Sequence, residues 1–515
     1  MRYFNTAGPV RPDKHYTIDI LGRINLPEIL SLIEQEKYFI LHAPRQTGKT
    51  SSLLALRNYL NKEGKYHCVY VNVEDAQTAR DDIDRGIKTI LSELQQELRL
   101  THKELLVKFP EYFNLLDKIP SDNLLGYVLS NFSLNLDKPL ILLIDEIDSL
   151  VGDTLISVLR QLRSGYKNRP RGFPQTVVLC GVRDVQDYRI HSSKEKAIIT
   201  GGSAFNIKAK SIRLGNFSRE EIRQLYLEHT KETGQRFEEE VYEYVWELTE
   251  GQPWLVNALA YEACFELEKD RSKKITKKII EQAKENIIMR RDTHIDILID
   301  KLSEERVQRV IEPILYSEEE AENLNLDDLK YVEDLGLITK KNKHYEISNA
   351  IYKEIIPREL VYTTQHTIVE NEIWYIENNK LNMEKLLKRF QEFYRENSEV
   401  WLEKFAYKEA GPHLLLMAFL QRIINGGGVL HREYGLGRKR IDIMIEFGGE
   451  KICIETKVNR NEKSRNDGLR QLREYMDKSG AKEGHLILFD KSKNKSWEEK
   501  IYIEKIDEKI TIWGM

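Results

Sequence analysis

A glycine-containing segment, APRQTGKT (residues 43–50), stands between a short apolar run, YFILH, and the helical pattern SSLLALRNYL. A phosphate-binding loop requires this order of strand, loop and helix, because the loop N–H groups and the helix N-terminus point at the anion. Lys49 is expected to reach the β- and γ-phosphates, and Thr50 to hold Mg²⁺. Alanine at position 43 replaces the usual glycine and needs a less permissive backbone. The predicted loop comprises Ala43, Pro44, Arg45, Gln46, Thr47, Gly48, Lys49 and Thr50.

Apolar runs elsewhere in the front third of the chain predict the sheet to which the loop belongs. Three further apolar runs, CVYVNV (68–73), LILLID (140–145) and TVVLCG (176–181), alternate with amphipathic stretches. Unbroken apolar strands separated by helices indicate a parallel sheet covered on both faces. A chain of 515 residues is too long for one hydrophobic core. We therefore predict an α/β protein with roughly two to four domains.

Charged side chains follow two of these strands. Asp145, at the end of its strand, is expected to bind Mg²⁺ through water, and Glu146 to orient the attacking water. Arg183, in GVRD, is either a sensor of the γ-phosphate or a surface arginine, and spacing does not distinguish the two. Arg160 and Arg163 lie one helical turn apart and could enter an adjacent subunit, although such pairs are more often solvated.

Composition sets only broad limits on partners and location. The chain carries 79 basic and 83 acidic residues, a net charge of −4, which excludes a globally basic nucleic-acid coat but allows local basic patches. The four cysteines follow no metal-ligand spacing and suit a reducing compartment as small buried hydrophobes. No apolar signal core opens the chain, and no run of about 18 apolar residues follows. We expect a soluble cytoplasmic protein with no membrane partner.

The front two-thirds of the chain resemble STAND-related P-loop ATPases of the AAA-like, archaeal type. The resemblance rests on GPVRPDKHY, LGR, APRQTGKT, LLIDEID, GVRD and GQPWLVNALA. It implies ATP/ADP as cofactor and a switch that is closed with ADP and forms a homo-oligomer with ATP. It also implies a helical lid in which Gly251 and Pro253 lie against the nucleotide. Residues 326–356 read as a helix, a glycine turn, a two-stranded wing and a further helix, which fits a winged helix.

Near the end of the chain, IDIMIEFGGEKICIETK (441–457) reads as a β-hairpin that turns at two glycines. Alternation puts Glu455 and Lys457 on one face, and Asp442 shares it if the turn sets that register. Two carboxylates and a lysine in apolar strands are costly to bury without compensation. We therefore predict that Asp442, Glu455 and the carbonyl of Thr456 bind Mg²⁺, with Mn²⁺ as the alternative metal. Lys457 would orient or deprotonate the hydrolytic water.

This hairpin resembles the core of the PD-(D/E)XK nucleases. Ile441-Asp442 and Glu455-Thr456-Lys457 match the motif without its usual proline. In GLRQLREYMD, Gln471 and Tyr475 resemble the QxxxY element of RecB-type members. Glu409 is the candidate for the helical carboxylate of that family, although a surface glutamate is the more frequent role for such a residue. His413 is more often a satisfied histidine at the edge of a core than a ligand.

The two resemblances together predict the domain organisation. It comprises an ATPase core (1–215), a helical lid (216–295), a winged helix (296–362), a helical connector (363–400) and a nuclease domain (401–515).

Our leading hypothesis is an ATP-regulated, Mg²⁺-dependent nuclease with DNA as the expected substrate, although the sequence does not distinguish DNA from RNA. Analogy alone suggests defence against foreign DNA. The alternatives are a DNA-repair ATPase with an attached nuclease, and a signalling switch whose C-terminal domain only binds nucleic acid. Basic residues around the hairpin either support a nucleic-acid partner or form an ordinary solvated face. They are Arg438, Lys439, Arg440, Arg460, Lys463, Arg465, Arg470 and Arg473.

Overall fold

The structure, a computed structural model, divides into two compact units. The first comprises Met1–His294, Leu329–Thr339 and Ser348–Ile351. The second comprises Ile295–Asp328, Lys340–Ile347 and Tyr352–Met515. The domain boundaries predicted from the sequence stay predictions. The structure describes all residues except 113–117, 185–188, 193–196, 201–204, 291–292, 317–323, 342–343, 357–374, 378–379, 405–411, 414–415, 417–418, 421–428, 437–438, 460–461, 491 and 493–494.

A five-stranded parallel sheet forms the centre of the first unit. In spatial order its strands are β2 (His67–Asn72), β3 (Leu140–Asp145), β4 (Thr176–Gly181), β1 (Tyr38–His42) and β7 (Lys208–Arg213). Alternate side chains of its strand β1 enter different hydrophobic clusters, with Tyr38 and Ile40 in one and Phe39 and Leu41 in the other. The predicted parallel sheet, covered on both faces, is therefore confirmed. Two further strands of this region, β5 (Arg189–Ser192) and β6 (Ala197–Thr200), pair with each other.

Helices pack on this sheet and continue after it. Those before β7 span Ile20–Arg23, Leu26–Glu34, Lys49–Glu63, Ile83–Thr101, Lys103–Leu106, Ser121–Asn135 and Gly152–Gly165. The chain after β7 is helical, as its pattern predicts. Ser218 and Glu221 form a capping box at the start of the first of these helices, and Gly234 ends it at φ 80°. The helices are Arg219–Thr233, Glu239–Thr249, Pro253–Tyr261 and Lys277–Arg290.

The region predicted as a winged helix contains the helix Leu326–Asp334 and a pair of strands, β8 (Ile338–Lys341) and β9 (His344–Ile347). The expected wing tip, Asn342-Lys343, lies outside the described residues. The winged-helix assignment stays a prediction. Two further helices, Thr293–Leu302 and Glu305–Tyr316, precede it, and a short hairpin, β10 (Ile376–Glu377) with β11 (Lys380–Leu381), leads into the helix Met383–Lys404.

A six-stranded mixed sheet lies in the second unit. In spatial order its strands are β12 (Val429–Leu436), β13 (Lys439–Phe447), β14 (Glu450–Val458), β15 (Glu483–Phe489), β17 (Ile510–Gly514) and β16 (Tyr502–Lys505). The helix Glu462–Ser479 packs Leu472, Tyr475 and Met476 into the same hydrophobic cluster as Met444 and Cys453 of the sheet. This α/β arrangement is compatible with the predicted nuclease fold, which stays a prediction. The short helix Trp497–Lys500 precedes β16.

Within the described ranges, no helix is both long and apolar enough to cross a membrane. The four cysteines, Cys68, Cys180, Cys264 and Cys453, are free and buried, as predicted for small hydrophobes.

Candidate functional site

The predicted phosphate-binding loop connects β1 to the helix Lys49–Glu63. Two of its residues adopt left-handed backbone conformations, Gln46 at φ 57° and Gly48 at φ 95°. The Lys49 ammonium donates to the carbonyl oxygens of Ala43 (3.0 Å) and Pro44 (3.1 Å), which places the charge over the loop. The loop therefore combines a helix N-terminus with a cation, the two features that bind a phosphate group.

Asp145 ends β3 with its side chain fully buried. Its Oδ2 accepts hydrogen bonds from Thr50 Oγ1 at 2.7 Å and from the Tyr70 hydroxyl at 3.0 Å. Burial, and then the charge of Asp145, raise the pKa of Tyr70 well above its ordinary value, so that its hydroxyl remains a donor. The structure thus brings together the two predicted Mg²⁺ ligands of the loop region. Sequence reasoning missed Tyr70, whose only signal was a polar atom inside an apolar strand.

Glu146, the predicted water-orienting residue, follows Asp145 with φ 56°. Burial, and then the neighbouring charge of Asp148, raise its pKa above the ordinary value. Asp148 accepts a hydrogen bond from the Val182 backbone N–H at 3.2 Å and so joins the ends of β3 and β4. Glu146 therefore lies beside a magnesium-binding candidate, and its role with water stays a prediction.

Arg183, the candidate phosphate sensor, follows the end of β4. Its Nε lies 3.5 Å from Asp334 Oδ2, and its guanidinium stacks over the Tyr331 ring at 4.9 Å. Both partners belong to the helix that precedes β8. The structure thus holds Arg183 through a carboxylate and an aromatic face, and its role as a sensor stays a prediction.

Arg23 also contacts the phosphate-binding loop, and sequence reasoning missed it. Its guanidinium donates to the carbonyls of Thr47 (3.1 Å) and Gly215 (2.8 Å) and stacks over Phe217 at 4.6 Å. Burial lowers its pKa to about 10, so that it remains charged at neutral pH. The sequence signal was the LGR segment, which marks the position but not the contact.

The predicted lid residues lie where the helix Pro253–Tyr261 begins. Gly251 adopts φ 72°, and its carbonyl accepts a hydrogen bond from the Phe217 N–H at 2.8 Å. Pro253 occupies the first turn of the helix and lines a cavity together with Gln46, Thr47 and Gly48 of the loop. Pro253 therefore adjoins the phosphate-binding loop, while Gly251 supports the backbone that positions it.

The Gly251→Ala variant is expected to lose roughly 3 kcal/mol or more of unfolding free energy. A Cβ at Gly251 would lie 1.9 Å from the Phe217 carbonyl oxygen, in addition to the strain of a positive φ. Gly234→Ala is the matched control, because Gly234 has φ 80° but no described atom within 4 Å of the place that its Cβ would occupy. Thermal and denaturant unfolding would measure both, and equal losses would contradict the role given to the Phe217 contact.

The C-terminal hairpin brings its predicted residues together. Gly448 and Gly449 have φ 56° and 81°, and the strands pair Phe447 with Glu450 and Ile443 with Ile454. This register continues to Asp442 opposite Glu455 and so places both carboxylates on one face. The turn requires positive φ at two positions, which glycine adopts readily. The two glycines thus set the register of the hairpin and with it the side chains that lie opposite each other.

Asp442 and Thr456 are joined directly. Asp442 Oδ2 accepts hydrogen bonds from the Thr456 N–H and from its hydroxyl, both at 2.8 Å. The carboxylate takes the place of a backbone acceptor at the point where the ladder between β13 and β14 ends. His413 Nδ1 lies 3.1 Å from the same hydroxyl, which acts as acceptor there because its proton is donated to Asp442. His413 therefore contacts the hairpin through Thr456, and its interpretation as a satisfied histidine rather than a ligand stays a prediction.

Glu455 is 2% exposed, and its Oε1 lies 2.9 Å from the Lys457 ammonium. Its Oε2 has no hydrogen-bond partner among the residues that the structure describes. Burial, and then the charge of Asp442, raise the pKa of Glu455 to about 8. Burial lowers the pKa of Lys457, but the charges of Glu455 and Asp442 outweigh it and raise the pKa overall. A buried carboxylate with such an oxygen, beside a second carboxylate, fits a divalent cation.

The remaining predicted nuclease residues differ in their surroundings. Gln471 carries a buried Oε1 that has no partner in the described part of the chain, whereas Tyr475 belongs to the hydrophobic cluster beneath the sheet. Glu409 lies outside the described residues. No cluster of three or more His, Cys, Asp or Glu side chains that could hold a metal occurs among the described residues. Each of the two candidate Mg²⁺ sites therefore has fewer than three such side chains among the described residues. A threonine, Thr50 at one site and Thr456 at the other, is hydrogen-bonded to a carboxylate there.

The predicted basic patch is partly neutralised. Arg465 pairs with Glu504, Arg470 with Asp467, and Arg473 lies 3.9 Å from Asp507. Lys463 is exposed at the start of the helix Glu462–Ser479. The side chains of Arg438, Lys439, Arg440 and Arg460 lie outside the described part of the chain, and the nucleic-acid patch stays a prediction.

Comparisons with known proteins match the two parts of the chain separately. Residues 28–357 match the model of a family described as an AAA-like domain, and residues 383–493 match a domain of unknown function (DUF8371). No curated protein matches the chain significantly. The prediction of an AAA-like P-loop domain is confirmed, whereas the STAND relationship and the nuclease domain stay predictions.

Several solved structures are similar to about two-thirds of the chain. A Walker-type ATPase of Pyrococcus abyssi has 14% identity, covers 68% of this chain and 99% of its own, and gives a TM-score of 0.48. Cdc6p of Pyrobaculum aerophilum has 14% identity with 69% and 96% coverage and a TM-score of 0.37. A RuvB variant of Thermotoga maritima has 12% identity with 66% and 94% coverage and a TM-score of 0.34.

Proposed function

Because this chain belongs to the AAA-like domain family, we propose that it binds and hydrolyses ATP and that its nucleotide state controls a Mg²⁺-dependent phosphodiesterase in its C-terminal region. The nuclease half of the proposal rests on one observation. Asp442, Glu455 and Lys457 meet on one face of a hairpin, and the buried Glu455 retains an oxygen that has no partner among the described residues. DNA is the proposed substrate.

The proposed ATP site uses the loop and the end of β3. The loop N–H groups and Lys49 would bind the phosphates, while Thr50 and Asp145, already 2.7 Å apart, would hold Mg²⁺. Bound Mg²⁺ neutralises phosphate charge. Glu146, whose pKa is raised by burial, lies next to Asp145 and is the candidate acceptor for a proton of the attacking water.

At the hairpin, Asp442, Glu455 and the carbonyl of Thr456 would hold Mg²⁺, with Mn²⁺ as the alternative. His413, through the Thr456 hydroxyl, fixes the orientation of the Asp442 carboxylate. The Lys457 ammonium, 2.9 Å from Glu455, would stabilise charge on the phosphate. Gln471 would act at the same face through its amide, whose oxygen has no partner in the described ranges.

The test is cleavage of supercoiled plasmid, linear duplex and single-stranded DNA in Mg²⁺, with ATP, ADP or no nucleotide. We expect the wild type to cut at least one substrate, at a rate that changes at least about threefold with nucleotide. The Lys49→Ala variant is expected to cut at one rate in all three nucleotide conditions, because its loop lacks the phosphate-binding ammonium. Absence of cleavage from every wild-type reaction would overturn the nuclease half and favour a switch whose C-terminal region only binds.

A further inference from the structure

The hydroxyl group of Tyr70 contacts the carboxylate that ends β3. Tyr70 lies on β2, which pairs with β3 so that Tyr70 is opposite Leu143 and Asn72 is opposite Asp145. Residues two positions apart on a strand share a face of the sheet, so Tyr70 and Asp145 lie on the same face, offset by two residues. The tyrosine side chain spans this offset, and its hydroxyl donates to Asp145 Oδ2 at 3.0 Å. The contact therefore follows from the register of two paired strands.

Hydrogen bonds to both of its oxygens hold the Asp145 carboxylate in one orientation. Oδ2 accepts from Tyr70 and also from Thr50 Oγ1 at 2.7 Å, while Oδ1 accepts from the Glu146 backbone N–H at 3.0 Å. Thr50 is itself a candidate Mg²⁺ ligand in the first turn of the helix Lys49–Glu63, and Glu146 is the next residue of the chain. Of these donors, Tyr70 is therefore the one that a neighbouring strand supplies.

The surroundings of Tyr70 make its hydroxyl a fixed donor. Tyr70 is only 8% exposed and belongs to the same hydrophobic cluster as Leu53 and Leu56 of the helix after the loop. Asp145 is fully buried, so bulk water cannot replace a donor that its carboxylate loses. Hydrogen bonds from residues behind a metal site orient its carboxylate ligands, and removal of such a partner typically lowers metal affinity about 10- to 100-fold. Tyr70 has the position of such a partner.

We propose that Tyr70 is a positioning residue that sets the Mg²⁺ affinity of the nucleotide site by orienting the Asp145 carboxylate. This inference rests on the proposed ATP binding, in which Thr50 and Asp145 hold Mg²⁺. Both residues supply oxygen atoms, the ligands that Mg²⁺ prefers. Tyr70 acts through Asp145 and not on the nucleotide. Loss of its hydroxyl should therefore weaken only the part of nucleotide binding that depends on Mg²⁺.

Isothermal titration of the full chain with the non-hydrolysable ATP analogue AMP-PNP, once in Mg²⁺ and once in EDTA, tests the proposal. We expect the wild type to bind the analogue at least about 20-fold more tightly in Mg²⁺ than in EDTA. The Tyr70→Phe variant keeps the ring and lacks the hydroxyl. Its dissociation constant in EDTA should be within about twofold of the wild-type value, whereas in Mg²⁺ its binding should be at least about tenfold weaker than that of the wild type.

Tyr38→Phe is the matched control, and it should keep both wild-type affinities. Tyr38 is also buried in the sheet, and its hydroxyl donates to the Pro174 carbonyl at 2.8 Å, but its strand β1 does not pair with β3. The Asp145→Asn variant separates the orientation of the carboxylate from packing. In that background, Tyr70→Phe should change the affinity in Mg²⁺ by less than about twofold, because the carboxylate through which Tyr70 acts is already lost.

Several results would overturn the inference. They are wild-type affinity of folded Tyr70→Phe in Mg²⁺, a loss of equal size in EDTA, an undiminished further loss in the Asp145→Asn background, and equal binding by the wild type with and without Mg²⁺. Should Tyr70→Phe not fold, Tyr70→Met lacks the hydroxyl as well and takes its place. Failure of the wild type to bind the analogue in either condition would instead refute the proposed ATP site itself.

Discussion

Plasmid cleavage by the Lys457→Ala variant is expected to be at least about 100-fold slower than cleavage by the wild type, which is the usual cost of removing one charge-stabilising donor from a hydrolytic site. The Lys457 ammonium lies 2.9 Å from Glu455 and shares a face of the hairpin with Asp442. Its loss removes the cation that would stabilise the phosphate in the transition state. Initial rates of plasmid nicking at saturating Mg²⁺ would measure the effect.

Lys451→Ala provides the control on the same strand. Lys451 lies six residues before Lys457, on the same face of β14, and its ammonium is 3.6 Å from Glu446 near the turn. We expect this variant to cut at close to the wild-type rate. Circular dichroism and thermal unfolding would verify that both variants are folded, because Glu455 loses its ion-pair partner in one of them. Undiminished cleavage by folded Lys457→Ala would refute the assignment of the site.

ATP binding by the Lys49→Ala variant is expected to weaken by roughly 10- to 100-fold, the range for one charge-assisted hydrogen bond to a phosphate. Lys49 is buried, and its ammonium is held over the loop by the carbonyls of Ala43 and Pro44. In the presence of ATP these contacts would be exchanged for phosphate oxygens. Titration calorimetry with ATP and Mg²⁺ would measure the dissociation constant, and phosphate release would report the accompanying loss of turnover.

Lys62→Ala is the corresponding control. Lys62 lies in the last turn of the same helix, is exposed, and is remote in sequence from the loop. It should bind ATP like the wild type. If folded Lys49→Ala bound ATP with unchanged affinity, the loop would not be the phosphate site, and the match to the AAA-like domain family would then describe the fold without its usual ligand.

Much of the fold could be predicted from short stretches of sequence. The runs around β1, β3 and β4 are apolar at nearly every position, as strands covered on both faces must be, and the structure confirms the parallel sheet. Gly448 and Gly449 predicted a two-residue turn because both positions require positive φ, and this turn set the register that joins Asp442 to Glu455. Within such segments, backbone conformation follows from neighbouring residues.

The roles of individual residues in the C-terminal region were harder to predict from the sequence. Asp442, Glu455 and Lys457 could be placed on one face from alternation alone, but the role of Tyr475 could not, because its helical spacing from Gln471 is compatible with both a core residue and a site residue. The structure places Tyr475 in the hydrophobic cluster and leaves the Gln471 amide oxygen without a partner among the described residues. Periodicity identifies a face of a helix but does not say what that face contacts.

The sequence by itself determined the phosphate-binding loop, the acidic end of β3 and the hairpin turn, since each depends on residues within a few positions of one another. Only the tertiary structure decided which distant groups complete these sites. Tyr70 reaches Asp145 across 75 residues, His413 reaches Thr456 across 43, and Arg183 meets Asp334 across 151. Pro253 likewise comes to line one cavity with Gln46, Thr47 and Gly48 of the loop only in the folded chain. Such contacts depend on how the helices and strands pack together. The pattern of neighbouring residues in the sequence does not predict this packing.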